Sequence, residues 1–243
     1  MRIAIVSDIH GNRTAFEAVL ADLRDASPDL ILHGGDLADS GSSPAEIVDR
    51  IRDLGWQGVL GNTDEMHTRP ESLNEFAGQS SAPASIWTAL REMAAATRDT
   101  LEEERISWMR TLPRIQLHDS LALLHASPES LWRSPAPESS EAELERTYAP
   151  LARRVVVFGH IHRPFVRSIR TSSGELVVAN AGSVGLSYDG DRRAAYLLID
   201  DGTATIRRVE YDIEQEVDHL SSCGLPRSDW IARILRTGRP QMP

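Results

Sequence analysis

Short apolar runs alternate with amphipathic stretches through the first sixty residues. Ile3–Val6, Leu30–His33 and Gln57–Leu60 read as strands. Between them, Thr14–Ala26 spaces Phe16, Val19, Leu20 and Leu23 at helical intervals, and a second helix opening at Ser43-Pro44 sets Ile47, Ile51 and Leu54 on one face. Strand, helix, strand, helix, strand predicts right-handed crossovers and a parallel sheet. The rhythm then breaks. Residues 63–112 open with a polar loop containing Pro and Ser, then continue into helical patterns at Ser85–Thr97 and Thr100–Leu112, the second started by a Thr100/Glu103 capping box. Because this stretch leaves the sheet directly after Asn62, it is expected to form a helical cap, inserted at about 63–112, beside any site at the strand ends.

Further on, Arg114–His118 and Leu121–His125 predict a hairpin around Asp119-Ser120, with His118 facing solvent. Ser127–Pro137 is turn-rich, and Glu138–Ala149 is an acidic helix with a solvated face. Val155–Phe158 is apolar at every position, as a central strand should be. Phe165–Arg170, Glu175–Ala179, Ala194–Asp200 and Thr203–Tyr211 alternate around Gly-containing turns and predict antiparallel strands. They imply a second sheet packed face to face on the first, with helices outside. A Gly182-Ser183-Val184-Gly185 turn beside the Gly159–His162 loop and an amphipathic tail helix through Trp230, Ile231, Ile234 and Leu235 complete the outline. The fold class is α/β, an α+β sandwich of two mixed sheets. At 243 residues one core suffices, so residues 1–243 are expected as a single domain.

Composition narrows the function. The formal charge is −10 and there is no lysine, so extended nucleic acid is a poor partner. No run is long enough to cross a bilayer, and the N-terminus enters a strand without a signal-peptide pattern, so a cytoplasmic protein is expected. The sole cysteine, Cys223, can form no internal disulfide and is expected to pack or lie at the surface.

The candidate chemistry lies where the apolar runs stop. IAIVSDIHGN delivers Asp8 and His10, two apart and able to share one face as the strand opens into a loop. LILHGGD ends on Asp36, QGVLGN on Asn62, LALLHA on His125, and VVVFGHIH on His160 and His162. Five runs thus end in residues that ligate metals. In open α/β sheets such carboxyl ends can converge although they lie far apart in sequence. Mixed nitrogen and oxygen donors suit Mn, Fe, Zn, Co or Ni better than Mg or Ca. Two divalent ions would give an acidic protein the local positive charge to hold a small phosphorylated substrate. His33, inside its strand, reads as an ordinary buried histidine. His67 reads as a surface histidine of the cap loop, with substrate contact as the alternative.

Taken together, Asp8-x-His10, Gly35-Asp36, Gly61-Asn62-x-Asp64, His125 and Gly159-His160-x-His162 resemble the calcineurin-like metallophosphoesterases across residues 1–185, and the GNTD and NAGSVG segments are most similar to the small bacterial and archaeal phosphodiesterase branch. The resemblance implies a four-layer fold carrying two divalent ions. One would take Asp8, His10 and His162, the other Asn62, His125 and His160, with Asp36 bridging. It implies hydrolysis of a small phosphodiester or phosphomonoester by a hydroxide bridging the two metals. Asn62 and Asp64 are the candidates for a catalytic part, Asp64 by orienting His125 or a neighbour. Thr63 stands where the resemblance leads one to expect a histidine that protonates the leaving group, and Ser40 stands where protein phosphatases carry a phosphate-binding arginine. A metal-poor scaffold of the same fold that binds a protein partner is the alternative, and the oligomeric state is open.

Overall fold

The computed structural model describes residues 1–172 and 174–243. Strands β1 (Arg2–Val6), β2 (Leu30–His33) and β3 (Gln57–Gly58) alternate with helices α1 (Arg13–Ala26) and α2 (Pro44–Asp53). Helices α3 (Asn62–Thr68), α4 (Glu71–Ala77) and α5 (Ala84–Met109) follow. Next come β4 (Ile115–His118), β5 (Leu121–Leu124), α6 (Glu141–Tyr148) and β6 (Val155–Phe158), then β7 (Phe165–Thr171) and β8 (Gly174–Asn180). The chain ends with β9 (Ala194–Asp200), β10 (Thr203–Val209), α7 (Ile213–Ser222) and α8 (Ser228–Thr237).

Two mixed five-stranded sheets result, ordered β10-β9-β1-β2-β3 and β4-β5-β6-β8-β7. Strands β1, β2 and β3 run parallel in the first sheet and β5, β6 and β8 in the second. Period-two alternation builds the layers. Ile3, Ile5 and Leu32 of the first sheet meet Leu121, Leu123 and Val157 of the second in one buried cluster between the sheets. The alternate residues Ala4 and Val6 turn outward to Phe16 of α1 and Ile47 of α2, while Val156 and Phe158 meet Leu144 and Tyr148 of α6. Each fully buried aliphatic contributes about 1.5–3 kcal/mol. No helix among the described residues is long and apolar enough to cross a membrane.

Several expectations are corrected. Strand β3 stops at Gly58, short of Leu60, because pairing with β2 reaches only His33. The β9–β10 hairpin joins the first sheet, not the second, by pairing antiparallel with β1. The polar loop expected after Asn62 is two short helices. α3 starts at once because Asp64 accepts from the Gly61 N–H, and Met66 and Leu73 then bury against Trp87. The break in α5 falls at Glu102, with φ 57°, and not at a Thr100 capping box, since the Thr100 hydroxyl instead bonds back to the Ala96 carbonyl within the helix. Beyond the break, Ile106 and Met109 pack with Leu101 in the layer over the first sheet. His118 is half-buried. Helix α7, unmarked in the sequence reading, ties down through Glu216, which accepts from the Thr14 hydroxyl and the Ser42 N–H.

Candidate metal centre

The parallel strands of both sheets release their chains at one edge, and the loops there stay paired. The N–H groups of Asp8, His10 and Gly11 donate to the carbonyls of Gly35, Asp36 and Leu37, extending the β1–β2 pairing past the strand ends. On the other sheet Gly159 N–H donates to His125 O. The loops are also strained. Asp8, His10, Asp36, His160 and His162 all have positive φ, from 51° to 70°. Asp and His tolerate this left-handed region better than most residues, at about 1–3 kcal/mol each. Two glycines permit the close approach. A Cβ on Gly61 would stand 2.1 Å from Asp36 Oδ1, and one on Gly159 would stand 2.3 Å from Asp8 Oδ2.

Asp8, His10, Asp36 and His162 are buried with their donor atoms all within 4.8 Å of one another. His162 Nε2 lies 3.2 Å from Asp8 Oδ1, and His10 Nε2 lies 3.6 Å from Asp36 Oδ2. The other oxygen of Asp36 faces elsewhere: Oδ1 is 3.4 Å from His125 Nε2. Around it gather Asn62 Oδ1, 2.9 Å from His125 Nε2 and 2.8 Å from His160 Nδ1. The structure thus brings together all seven residues at the ends of the apolar runs, with Asp36 between two sets.

The donor set suits divalent metal. His10 Nδ1 faces the Asp39 carbonyl at 2.9 Å and His162 Nδ1 faces Leu186 O at 2.5 Å. Each carbonyl can only accept, so each Nδ1 carries a proton and both Nε2 atoms point inward. Those two Nε2 atoms are 3.1 Å apart. Two ring nitrogens this close need either a proton shared between them or a cation that both coordinate. Burial, followed by His162, keeps His10 below its usual value. His160 is held near 4, first by burial and then by His125. Burial also raises Asp8 and Asp36, but the surrounding histidines outweigh it and hold both carboxyls low.

The sequence model of the calcineurin-like phosphoesterase superfamily domain matches residues 1–202. The chain belongs to that superfamily. An uncharacterized protein of Methanocaldococcus jannaschii is 30% identical over 256 residues, covering 98% of each chain. A metallophosphoesterase structure from Sphaerobacter thermophilus superposes with a TM-score of 0.78 at 26% identity, covering 98% of this chain and 99% of that one. A protein of Synechococcus sp. named as a probable cyclic nucleotide phosphodiesterase is 25% identical over 171 residues, covering 62% of this chain and 64% of its own.

Within this superfamily site, Asp64 does not hold His125. Its carboxylate accepts from the backbone N–H groups of Asp36 at 2.8 Å, Leu37 at 2.9 Å and Gly61 at 2.9 Å, while His125 Nδ1 goes to Gly34 O. Burial and then Asp36 raise Asp64 to about 6, against two of these backbone bonds that favour its charge. It is therefore a clamp beneath Asp36. His67 is not on the surface either. It is fully buried on α3, both ring nitrogens lack partners, and its Nε2 lies 3.8 Å from Asp39 Oδ1. Arg98 of α5 covers its carbonyl. His33 is buried without a ring hydrogen bond, as expected.

Sequence reasoning missed the residues that hold the loops. The Ser7 hydroxyl donates to Asp8 Oδ2 at 2.5 Å and the Ser183 hydroxyl to the Asp8 carbonyl at 2.7 Å. Asn180 Nδ2 donates to Gly159 O while its Oδ1 accepts from Gly182 N–H. Asn180 carried a usable signal, since it ends a sixth apolar run, LVVAN, like the other five. Ser7 carried none.

Proposed function

We propose that this chain hydrolyses a small phosphodiester using two divalent transition-metal ions, one held by Asp8, His10 and His162 and the other by Asn62, His125 and His160, with Asp36 shared. The two-sided seat of Asp36 carries this reading: its Oδ2 is 3.6 Å from His10 and its Oδ1 3.4 Å from His125. A carboxylate so placed can serve two cations about 3.5–4 Å apart. The mixed donors favour Mn, Fe, Zn, Ni or Co. Bound ions supply a nucleophile at neutral pH and positive charge against the phosphoryl oxygens.

The protein's own residues prearrange the rest. Carbonyls of Asp39, Gly34 and Leu186 fix His10, His125 and His162 with Nε2 inward, so the donors need little reorganisation. Asp64 holds the backbone under Asp36. Helices α3, α4 and the first part of α5 form the cap over the entrance, and the Glu65 carboxylate joins α3 to the loop after His125 by accepting from Trp132 Nε1–H at 2.6 Å. Arg69, Arg91, Arg98, Arg105 and Arg110 are bonded to residues of the 63–112 stretch itself or to Asp49. All but Arg91, which meets only the Asn74 amide, also pair with carboxylates, and this screening of their charge supports a diester over a doubly charged monoester. The name of the Synechococcus relative points the same way. With Thr63 where a histidine acid was expected, good leaving groups suit the site.

Metal analysis of purified protein loaded with Mn should find two ions per chain, and a panel of phosphodiesters and monoesters should show diester hydrolysis. Fewer than one ion per chain, with no hydrolysis across the panel, would replace this reading with the metal-poor scaffold. Nothing in the site favours that scaffold, because all seven positions keep their donors.

A further inference from the structure

A phosphoester needs more than metals to be held, and this site lacks cationic side chains. The chain has no lysine. Arg163, next to His162, is paired with Glu138 at 2.6 Å, and the cap arginines are engaged as described. Among the described residues no arginine pairs with Asp8 or Asp36. Arg91 and Arg133 meet only the neutral groups Asn74, Gln79 and Phe76, and none of the described arginines bonds to the seven converging residues, so the groups set against the cluster itself are neutral donors. Two hydroxyls or imidazoles between cap and cluster fail on access: Thr63 Oγ1 and both ring nitrogens of His67 are buried.

Tyr188 is different. Its ring stacks on His162, with centroids 4.4 Å apart and planes at 26°, and its N–H donates to the His162 carbonyl at 3.1 Å. Two contacts thus fix it against one of the donors around Asp8. The same ring packs on the cluster of Ala89 and Met93 from α5 and Ile234 from α8, so it stands between the cap and the metal centre. Tyr188 is half-buried, its hydroxyl bonds to nothing among the described residues, and that oxygen is not among the enclosed ones. An open hydroxyl on a ring held this firmly is positioned for a ligand rather than for the fold. A tyrosine phenol ordinarily keeps its proton until about pH 10, so it is available as a donor.

We infer that Tyr188 is a substrate-contacting residue, its neutral phenol donating a hydrogen bond to a phosphoryl oxygen of the bound ester. This rests on the phosphoesterase reading above. It also fits a singly charged diester, to which a neutral donor is adequate.

Tyr188→Phe keeps the ring and its stacking on His162 and removes only the hydroxyl. Three quantities should be compared with the parent chain: Mn per chain, calorimetric affinity of the Mn-loaded protein for inorganic phosphate, and kcat/KM for bis(4-nitrophenyl) phosphate. We expect unchanged metal content, with phosphate affinity and kcat/KM each lowered about tenfold, the size of one lost hydrogen bond to a charged oxygen. Unchanged phosphate affinity and kcat/KM would overturn the assignment. So would a loss of metal, which would make Tyr188 a packing residue behind His162. If the Mn-loaded parent hydrolyses nothing, the phosphoesterase reading fails, while the phosphate-binding comparison still decides whether Tyr188 contacts the anion.

Discussion

Five histidines are fully or almost fully buried, and they divide into two kinds. His10, His125 and His162 each place Nδ1 on a backbone carbonyl and turn Nε2 toward Asp8, Asp36 or Asn62. His33 and His67 hydrogen-bond through neither ring nitrogen. Residue type and burial are shared by both kinds, so neither marks a ligand. Among these five the backbone carbonyl separates the two kinds, because it puts a proton on Nδ1 and sets where Nε2 points. His67 lies close to Asp39, whose own carbonyl orients His10, yet it contributes no aimed donor.

The contrast can be broken most severely at Asp36, the carboxylate that joins the two donor sets. Asp36→Asn should lower kcat/KM at saturating Mn by more than about a hundredfold and reduce the metal content, since an amide nitrogen cannot bridge cations. If Asp36→Asn retains most activity while His10→Ala abolishes it, the shared-carboxylate assignment is wrong.

The next effect is one of pH. Burial lowers His125, but Asp36 outweighs it and, in the metal-free chain, raises the imidazole to about 9. With the folded value above the ordinary ~6.5, this pair stabilises the metal-free fold fully below about pH 6.5 and loses that contribution as pH rises through about 9. A metal must displace the same proton, so metal affinity should weaken up to about tenfold per unit as pH falls below 9. Calorimetry at pH 8 in buffers of different protonation enthalpy should record about one proton released per chain. Metal binding without proton release would contradict the His125–Asp36 pairing.

A smaller effect is expected at Thr63, whose N–H donates to Asp36 Oδ1 at 2.8 Å and whose side chain therefore starts beside the cluster. Thr63→His should raise turnover of alkyl diesters with poor leaving groups, by less than the roughly 10²–10⁴-fold of a well-placed acid, and scarcely change nitrophenyl esters. An equal change for both esters would show that leaving-group protonation is not what position 63 lacks.

The smallest effect tests the idle histidines directly. His67→Leu and His33→Leu should keep full metal content and leave stability unchanged or raise it by about 1 kcal/mol, because each removes buried polar atoms that have no partner. His125→Leu should lose metal. Loss of metal in His67→Leu, measured beside thermal unfolding, would erase the distinction between the two kinds.

The seven converging residues were legible in the chain because a run such as VVVFGHIH states two things at once: a strand, and a residue type able to ligate metal where it stops. The sandwich was legible for a related reason, since continuous apolar runs such as Val155–Phe158 must be covered on both faces. The resemblance of the motifs supplied the pairing of donors into two sets. What the sequence could not show depended on partners distant in the chain. The carbonyls of Asp39, Gly34 and Leu186 that aim the imidazoles belong to peptide groups, which every residue possesses and no side chain advertises. The burial of His67 depended on α5 folding over α3, which a polar stretch after Asn62 did not foretell. The membership of β9 and β10 in the first sheet depended on which edge of β1 was free. Tyr188 is set apart only by its ring on His162, a contact between two loops that no local pattern encodes. Local pattern therefore determined which residues could act, and tertiary structure decided which atoms of them face inward, because orientation is set by long-range hydrogen bonds and packing that leave no periodic trace.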